Sequence, residues 1–251
     1  MNLLKRHIPF LTVILLLFFL VSSVMAEEMK LDSDRMEYDP DKGSVYASGN
    51  VLFTRNELDI NADRAEGKID GSSALFWDSV KGEGFLNGES VNFVCDKLQA
   101  EFKDPVYYSL NGNVDAKIGT RHIIADSLDL SGNDLEAFKI SHFSDSESGI
   151  TVSGEKMEGT IVEDLIEDMI VEKNVRLTLE GNNDQKTVIT GDKAVYSKQR
   201  GTIVVSGNAK AVQSDRIITA SNLVFFPGTQ KIEATGDPRI VFRMNGDKEK
   251  E

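Results

Sequence analysis

Ile203-Val204-Val205-Ser206-Gly207-Asn208-Ala209 alternates apolar and polar residues around a central Gly-Asn, and the phrase recurs along the chain at fixed distances. Asp192 stands sixteen residues before Asn208 and Ser221 thirteen after it. Asp34, Asn50 and Asp63 keep the same steps; Asp96, Asn113 and Asp126 keep seventeen and thirteen. Ser221 to Asp237 is sixteen again, and Glu155 to Asn174 is a looser copy at nineteen. A unit of roughly thirty residues that repeats in register describes an array of one supersecondary motif.

The unit reads as strand. Val45, Ala47, Gly49, Val51 and Phe53 share one parity, and Tyr46, Ser48, Asn50 and Thr54 the other. That is a period of two with one apolar face. The parity breaks at the Ala-Asp phrase: Ala65 follows Ala62 by three residues, and Leu128, Leu223 and Ala194 come out of phase in the same way. One extra residue at a recurring place marks a bulge or corner, at which an Asp or Ser side chain can accept a hydrogen bond from nearby backbone N–H groups. The expected fold is all-β: stacked, bent antiparallel strands around one apolar interior. Residues 39–43, 197–201 and 227–230 read as hairpin turns, and 67–73, 144–149 and 181–186 as longer polar loops. Val162 to Ile170 also fits an amphipathic helix, but the repeat register favours strand-turn-strand there.

At the N-terminus, Lys5-Arg6 precede an apolar run, Ile8 to Val21, and Ser22-Ser23-Val24-Met25-Ala26 follows with small residues at a cleavage position. Residues 1–26 read as a secretory signal peptide, 27–243 as one β domain and 244–251 as a disordered tail. A retained anchor is the competing reading; the run is shorter than the roughly 20 residues of a span and contains Pro9. Removing Lys5 and Arg6 takes the net charge from −13 to −15. Such a chain repels phosphate backbones, which argues against nucleic acid as a partner. Cys95 is the single cysteine, so no intramolecular disulfide forms, and its place on an apolar face suits packing rather than reactivity.

Catalytic constellations are missing from the sequence. His122 and His142 have no second His at ligand spacing, and no nucleophile elbow or phosphate-binding Gly loop occurs. The Asp row reads as repeated corner residues rather than as a calcium site. No cofactor or metal is expected, and the protein is not expected to be an enzyme.

The phrases Ser33-Asp34-Arg35-Met36-Glu37-Tyr38, Tyr46-Ala47-Ser48-Gly49-Asn50-Val51, Ile60-Asn61-Ala62-Asp63, Gly191-Asp192-Lys193-Ala194-Val195-Tyr196 and Val205-Ser206-Gly207-Asn208-Ala209 resemble the OstA-like superfamily, the periplasmic domains of the lipopolysaccharide transport machinery. The likeness spans residues 31 to about 242. It implies a β-jelly roll open along one side, whose hydrophobic groove holds acyl chains. It also implies a location in the periplasm and partnership with lipopolysaccharide, with OstA-like domains of the inner- and outer-membrane complexes, and with further copies head to tail. A single-domain exported member corresponds to the LptA-type bridge protein; the inner-membrane-anchored LptC type is the alternative.

The in-phase apolar positions are the expected groove lining: Tyr38, Val51, Phe53, Ile60, Phe102, Leu110, Val114, Ile118, Ile123, Val175, Leu177, Ile203, Ile218, Phe225, Ile240 and Phe242. Headgroups and protein are both anionic, so affinity has to come from acyl chains, at about 0.8 kcal/mol per CH₂ removed from water. The rival readings are a structural β-solenoid without lipid cargo and, further off, a polysaccharide-cleaving enzyme on the same scaffold. The 19 aromatics, with Trp77 alone of its kind, do not suggest a sugar-binding cleft.

Overall fold

The structure is a computed structural model that describes residues 29–242 except 87, 164 and 181–185. The expected signal peptide, the tail and most of the 181–186 loop lie outside the described residues. The strands are β1 (Met29–Asp32), β2 (Arg35–Asp39), β3 (Ser44–Arg55), β4 (Leu58–Lys68), β5 (Ser73–Leu86), β6 (Glu89–Glu101), β7 (Tyr107–Ile118) and β8 (Arg121–Ser131). They continue as β9 (Asp134–Asp145), β10 (Ile150–Val162), β11 (Leu165–Glu180), β12 (Lys186–Ser197), β13 (Thr202–Val212), β14 (Arg216–Phe226), β15 (Lys231–Thr235) and β16 (Arg239–Phe242). Val162 therefore ends one strand and Leu165 opens the next, in keeping with the repeat register.

All sixteen strands form one antiparallel sheet, in which each strand from β3 to β14 pairs with its chain neighbours. At its start, β1 pairs with residues 52–55 of β3 and β2 with residues 44–48. At its end, β15 pairs with 222–226 of β14 and β16 with 216–219. So β1–β2 and β15–β16 are each one bent strand in two pieces, and every strand between them is long and bent at its middle. The bend divides the sheet into two facing layers. One, layer A, contains β2 and residues 44–48, 64–68, 73–77 and their equivalents; the other, layer B, contains β1, 51–55, 58–62, 80–86 and theirs.

The bends have a common construction. Ser48 pairs with Arg64 and Val51 with Ala62, so Gly49-Asn50 face Asp63 alone. The same two-against-one bulge sets 78–79 against Asp96, 112–113 against Asp126, 173–174 against Asp192 and 207–208 against Ser221. The surplus residue thus belongs to the Gly-Asn strand, whereas the parity break falls in the Ala-Asp strand; both phrases meet at one corner. Gly49, Gly112 and Gly207 have φ of +76°, +76° and +73°, and Asn50, Asn113 and Asn208 follow at +46°, +48° and +50°. Two consecutive left-handed residues swing the chain from one layer to the other, and Gly and Asn adopt that conformation at least expense.

Asp from the preceding strand folds over each glycine. A Cβ on Gly49 would lie 2.6 Å from Asp34 Oδ2, and one on Gly112 or Gly207 would overlap the carboxylate of Asp96 or Asp192. The carboxylate then accepts a hydrogen bond from the Asn side chain: Asn50 Nδ2 to Asp34 at 2.9 Å, Asn113 to Asp96 at 2.9 Å, Asn208 to Asp192 at 3.0 Å and Asn174 to Glu155 at 3.3 Å. The amide of the neighbouring Asn is the donor found here, where the sequence suggested a backbone N–H. Two further corners use other chemistry: Arg64 Nε donates to Asp78 at 2.6 Å and Lys139 Nζ to Asp126 at 2.7 Å.

Gly112→Ala should therefore lose more stability than Gly201→Ala. Gly201 also has a positive φ, +60°, but nothing within 4 Å of its missing Cβ. The backbone term is about 1–2 kcal/mol in both; the Asp96 clash at Gly112 should add at least about 1 kcal/mol. Equal urea midpoints for the two variants would show that the Asp-over-Gly contact contributes nothing.

Candidate functional site

The two layers enclose one apolar interior. Inward-pointing neighbours on adjacent strands include Val51 and Ala62, Phe53 and Ile60, Leu98 and Leu110, Val114 and Ala125, Leu177 and Ile189, and Ile203 and Phe225. Contact between layers is direct: the Phe53 ring of layer B lies 5.4 Å from Phe76 of layer A. All sixteen expected lining positions share this inner face. Val51, Phe53, Ile60, Leu110, Val114, Ile118, Ile123, Val175, Leu177, Ile203 and Phe225 are buried in it. Phe102 and Ile218 pack against it half-buried. Tyr38, Ile240 and Phe242 are 61%, 47% and 62% exposed, because they sit on the first and last bent strands, where the layers end and no further strand covers them.

The strand ends form two lips that face each other along the open side of the roll, and no strand pairing crosses from one lip to the other among the described residues. The A lip is made of the turns around residues 39–43, 69–72, 102–106 and 132–133; the B lip is made of those around 56–57, 119–120 and 146–149. Buried polar groups concentrate there: Ser44, Ser197 and Thr202 on the A lip, Arg121, Asp145 and Thr187 on the B lip. Arg121 pairs with Glu89 and donates from Nε to the Ile118 carbonyl at 3.2 Å. Burial pushes the Asp145 carboxyl up. The hydroxyls of Ser148 and Thr120 and the amides of Glu147 and Ser148 outweigh it and hold the group below the usual range. Burial, and then the charge of Asp145 on the opposite lip, raise the Tyr196 phenol.

Space within the roll is uneven. A chamber of about 280 Å³ lies at the N-terminal end, bounded by Met29, Leu31, Phe53, Ala74, Phe76 and Phe102. A mouth cavity of about 410 Å³ lies between the lips, against Arg55, Leu58, Phe85, Pro105, Tyr108 and Leu130. Between layers at Leu58, Phe93, Leu110, Ala116, Ile118 and Leu128 only about 20 Å³ remains, scarcely room for one water. At that level the interior is filled by its own side chains.

The other residues weighed in the sequence fall outside this interior or are core. Phe76 is fully buried, and Trp77 lies outside with the Arg64 guanidinium 5.3 Å from its ring. His122 and His142 lie side by side on the outer face, with His122 Nε2 2.8 Å from Asp115 Oδ1. Among the described residues no group of three or more His, Cys, Asp or Glu is placed to hold a metal ion. None of their helices is long and apolar enough to cross a membrane.

An all-β roll of bent antiparallel strands, open along one side and apolar within, is a β-jelly roll. Residues 94–231 match the family model described as LptA/(LptD N-terminal domain) LPS transport protein. That is more than half of the chain, and the protein belongs to this family. Among solved structures it is similar to LptH, the LptA homologous periplasmic component of the lipopolysaccharide transport device from Pseudomonas aeruginosa. The two are 13% identical over 87% of this chain and 95% of that chain, with a TM-score of 0.23. Comparison with curated proteins gave no match.

Burial pushes the Cys95 thiol up to about 11, so at pH 8 it is almost entirely protonated. Labelling of the folded protein by iodoacetamide at pH 8 should be roughly 100-fold slower than labelling in urea. Equal rates would mean that the inner face around Cys95 opens freely.

Proposed function

We propose that the protein is an exported, periplasmic carrier that holds the acyl chains of lipopolysaccharide between its two layers, leaves the headgroup outside the lips, and joins further OstA-like domains head to tail. The observation that carries this reading is the single apolar interior that runs the length of a sheet with two unpaired ends. Acyl chains match that interior by chemistry. At about 0.8 kcal/mol per CH₂, a few chains of a dozen carbons supply ample driving force even after ordering costs. The net charge of the exported form, −15 once Lys5 and Arg6 are removed from a full-chain −13, supports a headgroup left in solvent.

Assembly is supported by the sheet ends. Met36 and Tyr38 on β2, and Ile240, Val241 and Phe242 on β16, are large apolar residues left exposed at opposite ends. Unpaired strand edges that carry apolar side chains add strands from another chain. An end-on joint would make the two interiors continuous. Cleavage after Ala26 gives a free bridge component; retention of residues 1–26 as an anchor would make the protein the LptC-type partner instead.

The direct test is a photo-crosslinking side chain at Phe53 in protein exported by a host that makes lipopolysaccharide. Crosslinked lipopolysaccharide is expected, and its yield should not fall between about 50 and 500 mM NaCl, since screening weakens only attractions between charges. A folded protein that captures no lipid would make the roll a structural solenoid. For assembly, Val241→Pro removes an N–H from the terminal strand, and the variant should stay monomeric at concentrations at which the parent elongates in small-angle scattering. Unchanged elongation would place the joint elsewhere.

A further inference from the structure

We infer that Arg55 and Phe102, together with Phe53 and Tyr108, form a latch that ties the lips and sets the rate at which acyl chains enter the N-terminal part of the roll; this rests on the proposal that the interior is a lipid groove. Phe53 and Arg55 stand two apart on the B-layer half of β3, so both point inward. Phe102 and Tyr108 belong to the A lip, on either side of the loop between β6 and β7. The Phe53 and Phe102 rings stack across the opening, 5.8 Å between centroids and 11° between planes. The Arg55 guanidinium lies 4.4 Å from the centroid of the Phe102 ring. Its Nη1 donates to Tyr108 Oη at 3.4 Å, joining residues 53 positions apart. Phe102 and Tyr108 meet edge to face at 6.4 Å.

The position of this cluster matters as much as its contacts. Phe53 and Phe102 bound the N-terminal cavity of about 280 Å³; Arg55 and Tyr108 bound the mouth cavity of about 410 Å³. The latch thus stands between two cavities at the lips, with Phe53 and Phe102 packed into the apolar interior behind them. The contacts that Phe53 and Arg55 make with Phe102 and Tyr108 join the two layers rather than neighbouring strands, so they can break with the sheet's backbone ladder intact. Their loss leaves Phe53 and Phe102 free to turn onto an incoming chain, and it leaves a cation at the lip. An aromatic and cation–π latch of this kind opens as a two-state element whose population sets the uptake rate.

Stopped-flow uptake of dansyl-labelled undecanoic acid by the mature protein tests this. Phe102→Ala and Arg55→Ala should each raise the uptake rate constant roughly tenfold, and Phe102→Tyr, which keeps the ring, should leave it within about twofold of the parent. A ring that merely lined the groove would change release and not uptake. In a Cys95→Ser background, Arg55→Cys with Tyr108→Cys joined by a reducible bis-methanethiosulfonate should block uptake until reductant is added; this arm holds if the Ala variants fold poorly. Parental uptake rates in the Ala variants and in the bridged protein would remove the latch and leave the groove in place. No uptake by any folded form, the parent included, would remove both.

Discussion

The protein depends on one contact made over and over: an aspartate carboxylate folded onto a left-handed glycine and held there by the side-chain amide of the next residue. Without a bend at the middle of each strand, the strands would form one flat ribbon with an apolar face in water. The bend sets 51–55 opposite 44–48 and lets one face bury itself. It works because glycine alone leaves room for the carboxylate at Gly49, Gly112 and Gly207. Because the bends stack in line from Asp34 to Asp237, each corner fixes the register of the next. At both sheet ends the backbone closes the corner as well, with the Asp34 amide donating to the Gly49 carbonyl and the Ser221 amide to that of Gly236, each at 2.8 Å.

The arrangement divides chemistry by radius. Inner positions away from the lips are apolar from β1 to β16, most corners on the spine carry a paired carboxylate, and the lips bury polar groups that would be out of place at the centre. Closing a roll through polar and aromatic lips rather than through a strand ladder leaves one side that can part without loss of the sheet's hydrogen bonds. Unpaired buried backbone groups are expensive. A route for cargo that broke strand pairing would have to expose them, and the lip side avoids this.

Much of this was legible in the sequence, and the failures are instructive. The Gly-Asn and Ala-Asp phrases mark the corners because a left-handed pair and its acceptor leave residue-type signatures. The parity of sixteen apolar positions placed them all on the inner face. Corners at Asp78-Ser79 and Lys139 went unseen, since neither carries Gly-Asn, although Asp78 and Ser79 form the same left-handed pair and Lys139 is a single left-handed residue. Arg64 and Lys139 supply the cation that replaces the Asn amide there. Exposure of Tyr38, Ile240 and Phe242 was also hidden, because parity reports the face of a strand and not its distance from the sheet's end. The parity of Val51, Phe53 and Arg55 does point Arg55 inward. What it meets there, a tyrosine 53 positions away, is set by how the layers close and has no local signal.

A filled interior changes what binding a lipid means for this family member. Where a permanent groove stands open, its apolar walls already face solvent, and a ligand gains from covering both surfaces. Here the walls cover each other where Phe93 and Leu110 meet Leu58 and Leu128, with about 20 Å³ between them. An acyl chain that enters exchanges side chain–side chain contacts for chain–side chain contacts. The surface newly removed from water is then mainly the ligand's own, and separating the layers is charged against it. Net affinity is lower than the buried area suggests, and the difference is returned when the cargo leaves and the layers close. On the proposed reading, that closing term would suit the roll to passing a lipid onward rather than storing it, because the empty state is itself packed.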